Sequence, residues 1–245
     1  MTFRLLELFS GTQSVSRAFE ELGWETVTVD ICDRHSPTHS IDVLDFQYKQ
    51  YPPLHFDCVW ASPPCTEFSR AKTRGGPRNL ILANALVAKS LEIIAYFDCT
   101  YIIENPQTGL LPKQRVVKDL PFKDVSYCKY GSPYRKHTRL WHNLGEYLAL
   151  KPICCKETPC KAKKATGRHA KSAQRGPSFS NTNDSCTLDE LHALPVDLCR
   201  DIAEGVDIFV CIKRTDEELR EAFELFCPGS PAPGRQGACS PAAKS

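Results

Sequence analysis

Four short stretches carry residues that could do chemistry. Ser62-Pro-Pro-Cys-Thr-Glu-Phe-Ser69 follows the apolar run DCVWA and sets Cys65 behind two prolines. Proline fixes its own φ and restricts the residue before it, so Ser62 and Pro63 are held extended. A merely buried thiol gains nothing from that stiffness, whereas a sulfur that must meet a substrate atom at a fixed angle does. Glu104-Asn105 ends a second apolar run, TYIIENP. Phe9-Ser10-Gly11-Thr12 closes RLLELF and opens a helical pattern, whose free N–H groups can hold a carboxylate. Asp30 ends TVTVD, well placed to accept hydrogen bonds from ribose hydroxyls. Singly, Gly11 reads equally as a turn, Asp30 as a cap, Cys65 as a packed thiol and Glu104 as a surface charge.

The elements that must position these residues follow from periodicity. RLLELF (4–9) predicts a buried strand, and TQSVSRAFEELGW a helix with Val15, Ala18, Phe19 and Leu22 on one face and Gly23 as its stop. TVTVD (26–30) predicts a second strand, SIDVLDF (40–46) a short third and DCVWA (57–61) a fourth. Residues 78–97 predict a long amphipathic helix, TYIIENP (100–106) a fifth strand, and 124–130 with 138–143 a further strand pair. Strands alternating with helices indicate a mostly parallel sheet covered on both faces, whose ligands bind beyond the carboxyl ends of the strands. All four stretches fall at that end.

Near Leu148 the pattern breaks. The division expected is a catalytic domain over 1–147, a short Cys- and Lys-rich insert over 148–186, C-terminal helices over 187–226 packing back on the first domain, and a disordered tail over 227–245. Thr187-Leu-Asp-Glu190 fits a capping box, and Pro195 restarts a helix. The net charge is +2, yet residues 151–175 hold eight Lys or Arg against Glu157 alone. Such an island suggests a polyanionic partner, engaged by Lys161, Lys163, Lys164 and Arg168, and the alternative is a solvated basic loop. Thirteen cysteines at irregular spacing point to reduced thiols in an intracellular setting. No secretory signal pattern opens the sequence. The apolar stretch NALVAKSLEIIAYF carries Lys89 and Glu92 and reads as too short for a bilayer, so no membrane partner is expected.

In order, ELFSGTQSVSRAF, the Asp30 strand end, SPPCTEFS, IIENP and YGSPYRKHTRLW resemble the motifs of the cytosine-5 methyltransferase family over residues 3–143. HALPVDLCRDIAEG is a weaker echo of that family's last helix. The resemblance implies a Rossmann-like class I methyltransferase fold with a small irregular basic insert, S-adenosylmethionine as cofactor and cytosine in DNA as substrate. It implies that Cys65 is the nucleophile that adds to carbon 6. Glu104 would hold ring nitrogen 3 and supply a proton there, which needs surroundings that favour its protonated form. Asn105 would order the loop around Cys65, and Arg139 with Arg135 would bond the base carbonyl or a phosphate. The cofactor would meet Phe9, Ser10, Gly11, Thr12, Asp30, Ile31, Asp42, Val43 and Pro64. Carbon 6 is inaccessible in a stacked duplex, so the target nucleotide must be flipped out.

The chain departs from the family pattern in several places. Gln13 stands where the family has a second loop glycine, Glu-Asn-Val becomes Glu-Asn-Pro, and Tyr134 replaces the glutamine before the first arginine, with the spacing to Arg139 stretched by one residue. The large recognition domain is absent, leaving 148–186 in its place. Cys154, Cys155, Cys160 and His169 are of zinc-ligand type, with a site at Cys154, Cys160 and His169 needing a fourth ligand such as Cys186. The spacing lacks a second CxxC, and the sequence is read as free thiols in a loop with no metal. The same chemistry on RNA, a catalytically silent nucleic-acid binder, and a scaffold that needs a partner protein for specificity are the rival readings.

Overall fold

The computed structural model describes residues 2–70, 72, 76–163, 168–171 and 186–226. The expected tail over 227–245 and Lys164 lie outside them. The described residues form a seven-stranded sheet ordered β3-β2-β1-β4-β5-β7-β6. Its strands are β1 (Arg4–Leu8), β2 (Glu25–Asp30), β3 (His39–Ser40), β4 (Cys58–Ala61), β5 (Thr100–Pro106), β6 (Phe122–Ser126) and β7 (His137–His142). The first five are parallel, while β7 runs antiparallel between β5 and β6. This is the Rossmann-like class I methyltransferase arrangement, with α1 (Ser14–Glu20) following β1 and α2 (Leu80–Phe97) joining β4 to β5.

Alternation along the strands splits the core into two layers. Leu5, Cys58, Trp60 and Ile102 face one side, where Val15 and Phe19 of α1 meet Leu198, Ile202 and Val206 of α4 (Val196–Phe226). Leu6, Leu8, Val59, Ala61 and Ile103 face the other, against Val87, Ile93 and Phe97 of α2. Each fully buried Leu, Ile or Phe contributes roughly 1.5–3 kcal/mol of transfer free energy. Gly205 lets α4 sit close, since a Cβ there would stand 2.8 Å from the Tyr147 carbonyl oxygen. Asn79 caps α2 by accepting from the Leu82 N–H, so the helix begins earlier than the apolar stretch and reaches 18 residues. By length and composition this helix is apolar enough to cross a membrane, although the apolar stretch within it was read as too short to do so. Its Ala83, Val87, Ile93, Ile94 and Phe97 face is nonetheless spent on the sheet.

Two expectations fail locally. The third strand stops at Ser40, because Asp42 turns the chain: its Oδ1 accepts from the Leu44 N–H and its carbonyl from the Asp45 N–H. The strand expected over 124–130 ends at Ser126 and tightens into a 3₁₀ turn, Tyr127–Tyr130. The capping box forms, with Thr187 accepting from Glu190 and Glu190 from Thr187, and opens α3 (Leu188–His192).

Candidate active site

One cavity of about 380 Å³ lies at the carboxyl ends of β1, β2, β4 and β5, within the range of small-ligand pockets, roughly 300–1,000 Å³. Phe9, Ser10, Gly11, Thr12, Asp30, Pro64, Cys65 and Glu104 all line it. The loop after β1 is held in shape by backbone geometry. Phe9, Gly11 and Gln13 have φ of 58°, 46° and 56°, the left-handed region that glycine enters most easily. Gln13 therefore keeps the conformation that a second glycine would take, and its Nε2 donates to the His35 carbonyl at 2.8 Å. Asp30 ties the loop to β2, with Oδ2 accepting from the Gly11 N–H and Oδ1 from the Cys32 N–H, both at 2.8 Å. Ser10 Oγ is buried without a hydrogen-bond partner on the cavity wall.

Cys65 and Glu104 reach the cavity from neighbouring strands, since β4 and β5 pair in register through Ala61 and Ile103. Asn105, 1% exposed, does not line the cavity but donates from Nδ2 to the Pro63 carbonyl at 2.8 Å. That bond fixes the peptide just before Pro64 and Cys65. Burial pushes the Cys65 thiol above its ordinary value; the Lys136 ammonium opposes this and Glu104 reinforces it. Glu104 is buried, with Tyr127 Oη donating to its Oε1 at 3.0 Å and Lys136 Nζ 3.7 Å away. Lys136 Nζ also lies over the Tyr127 ring at 4.7 Å.

Sequence reasoning missed Lys136, Tyr127 and Glu7. Glu7 lines the cavity from the middle of β1, accepts from the Ser16 N–H at 3.0 Å and from the Ser16 hydroxyl, and is pushed up to about 7 by burial. Its signal was legible: one acid inside an otherwise all-leucine strand core. Lys136 gave none, because its value comes from Glu104 at the end of β5, distant in sequence. Asp189, His192 and Leu194 close the cavity, and Arg34 grips Asp189 through two bonds of 3.0 and 2.7 Å.

Other predicted residues are not brought together here. Arg139 stands directly opposite Asp124 in the β6–β7 register, bonds it bidentately at 2.8 and 2.9 Å, and stacks 3.5 Å from the Phe122 ring centroid. It does not line the cavity, whose cation beside Glu104 is Lys136. Arg135 is exposed and near His137 and His169. Ile31 is 73% exposed and off the cavity lining, and Asp42 spends one carboxylate oxygen on its own turn. The Val43 side chain packs in the core and does not line the cavity. Lys161, Lys163 and Arg168 lie on the insert. There Cys154, Cys160 and His169 converge with Cys128; Cys186, the fourth residue named from sequence, instead packs in the α4 core.

No family model matches the chain. Over 160 residues, 59% of this chain and 72% of the other, it is 40% identical to a Frog virus 3 (isolate Goorha) protein described as a probable DNA (cytosine-5)-methyltransferase. Among solved structures it is similar to the Entamoeba histolytica methyltransferase EhMeth, at 14% identity and a TM-score of 0.42, covering 89% of this chain and 99% of that one. It is also similar to the Dnmt2 methyltransferase of S. pombe, at 13% identity and a TM-score of 0.41 with the same coverage.

Proposed function

The chain belongs to the cytosine-5 methyltransferase family, and from that premise we propose that it methylates carbon 5 of cytosine in DNA through a covalent adduct with Cys65. The observation that carries this reading is the convergence of a proline-pinned thiol and a buried glutamate on one cavity, from adjacent strand ends locked together by the Asn105–Pro63 bond. S-adenosylmethionine is the cofactor, and when bound it supplies the electrophilic methyl group that carbon 5 takes up. The residues present fit it. Ser10 Oγ is a buried, unpartnered hydroxyl on the wall, and each Asp30 oxygen has a second lone pair left to accept from a hydroxyl. Gly11 and Thr12 would complete its cradle.

The Cys65 sulfur forms a bond to carbon 6, and ring nitrogen 3 takes a proton, which Glu104 is positioned to carry. Burial disfavours the Cys65 thiolate and the Lys136 ammonium favours it, so Lys136 helps bring the nucleophile to its reactive form. Tyr127 and Lys136 hold the Glu104 carboxyl in place. Loss of the carbon 5 proton to water, expulsion of the sulfur as thiolate and return of the nitrogen 3 proton to Glu104 then restore the ring, Cys65 and Glu104. The cytosine must leave its stack to reach this cavity.

The test is trapping with 5-fluorocytosine, whose fluorine cannot leave as the proton does. DNA oligonucleotides carrying it, incubated with protein and cofactor, should give a denaturation-resistant complex that Cys65→Ser abolishes. A complex formed on RNA alone would overturn the DNA assignment. A complex that survives Cys65→Ser would overturn the nucleophile.

A further inference from the structure

The insert has little of what usually holds a chain in place. From Lys151 to Lys171 the described residues contain no helix or strand, only one isolated bridge, Lys163 to His169. Its small core is Cys128, Cys154 and Cys160, all buried, with Ala162 the apolar residue packed against them. Three thiols and a methyl group offer too little apolar area to order such a segment. Three cysteine sulfurs and an imidazole nitrogen sit in that core instead, all within 4.8 Å of one another. His169 Nε2 lies 3.2 Å from Cys160 Sγ and 3.8 Å from Cys154 Sγ.

A tetrahedral zinc with Zn–S near 2.3 Å and Zn–N near 2.0 Å has S–S edges of about 3.8 Å and N–S edges of about 3.5 Å; the two N–S separations, 3.2 and 3.8 Å, bracket the latter. The backbone is set for ligation. The Cys154 N–H donates to Ser126 Oγ at 2.9 Å, and Ser126 Oγ bonds His137 Nδ1 at 2.8 Å, anchoring the first insert ligand to β6 and β7. An antiparallel bridge pairs Lys163 with His169, and Lys163 stands three residues beyond Cys160. Cys155 points elsewhere, its sulfur 3.0 Å from Thr158 Oγ1. Lys129 faces Cys154, and Arg135 and Lys163 face His169. Those cations complement the single negative charge of a zinc bound by three thiolates and one neutral imidazole.

We propose that Cys128, Cys154, Cys160 and His169 bind one zinc ion in a closed structural site that staples the basic insert to the sheet beyond β6. Four protein ligands leave no open position, so the ion is structural and takes no part in the chemistry at Cys65. The proposal does not depend on the methyl-transfer reading.

The full chain, expressed with zinc supplied and purified without chelator, should carry one equivalent of zinc by elemental analysis. Replacing zinc by cobalt should give the intense visible bands and thiolate charge-transfer absorption of a tetrahedral site with three sulfur ligands and one nitrogen. Cys160→Ser and His169→Gln should lose the metal, whereas Cys155→Ser, Cys186→Ser and Cys65→Ser should retain it. Chelation should raise amide exchange across 151–163 and 168–171 while β1 and β4 stay protected. Zinc-free protein that gives no cobalt spectrum would overturn the proposal. So would a disulfide among Cys128, Cys154 and Cys160, or metal loss in Cys155→Ser as complete as in Cys160→Ser. Elemental analysis and cobalt titration of the unmodified chain decide the matter even if a ligand variant does not fold.

Discussion

Replacing Glu7 by Gln isolates one buried carboxyl and puts a number on it. Burial lifts Glu7 from 4.5 to about 7, Ser16 pulls it partly back through two hydrogen bonds, and the nearby Asp30 charge adds to the rise. Below pH 4.5 the carboxyl is protonated in both folded and unfolded chains, and its contribution to stability is fully present. As pH rises towards 7 the unfolded chain ionises first, so the native state loses about 1.4 kcal/mol per pH unit. The loss levels off above about pH 7, at a total of about 3 kcal/mol. Glu7→Gln keeps a carbonyl for Ser16 to donate to and removes the titration. Urea unfolding of both proteins at constant ionic strength from about pH 4.5 to 8 gives the difference in unfolding free energy, in which all other titrating groups cancel. That difference should move in favour of the variant by about 3 kcal/mol across the range. A flat difference would refute the reasoning, because a Glu7 ionised in both states cannot produce the slope.

Lys136→Met should push the Cys65 thiol higher still, so the pH midpoint for its alkylation by iodoacetamide moves up; a midpoint that stays or falls would remove Lys136 from the site's electrostatics. Gln13→Ala keeps the left-handed backbone and loses the bond to His35, so it should cost about 1 kcal/mol. Gln13→Gly loses the same bond but relieves strain of about 1–2 kcal/mol, so its thermal midpoint should match or exceed that of the parent. Replacing Lys161 and Lys163 together should lower the salt dependence of duplex binding by nearly two in the log–log slope, at roughly 0.9 per phosphate contact. Affinity should fall alike on all sequences, and an unchanged slope would make the island a solvated loop.

What could be read from the sequence was whatever neighbouring residues decide among themselves. The periodicity of β4 and β5 and the Thr187–Glu190 capping box are local, and they appear where expected. The parallel direction of these strands follows from the same elements, because a helix between two strands returns the chain to the same end of the sheet. For that reason Ser10, Asp30, Cys65 and Glu104 group together on sequence grounds alone. Failures came where a residue's partner is distant in sequence or its side chain competes with the backbone. Asp42 turned a predicted strand by accepting its own neighbours' N–H groups. The antiparallel register of β6 on β7 put Asp124 opposite Arg139, occupying the arginine that the motif offered and leaving Lys136 beside Glu104. Cys128 belongs to none of the motifs read from the sequence, and only the end of β6 carries it to Cys154, Cys160 and His169. Dihedral preferences and periodicity act over a few residues and are written in the chain itself. Charge pairs and ligand clusters form only between groups that the completed sheet holds within a few ångströms, and the tertiary structure alone decides which groups those are.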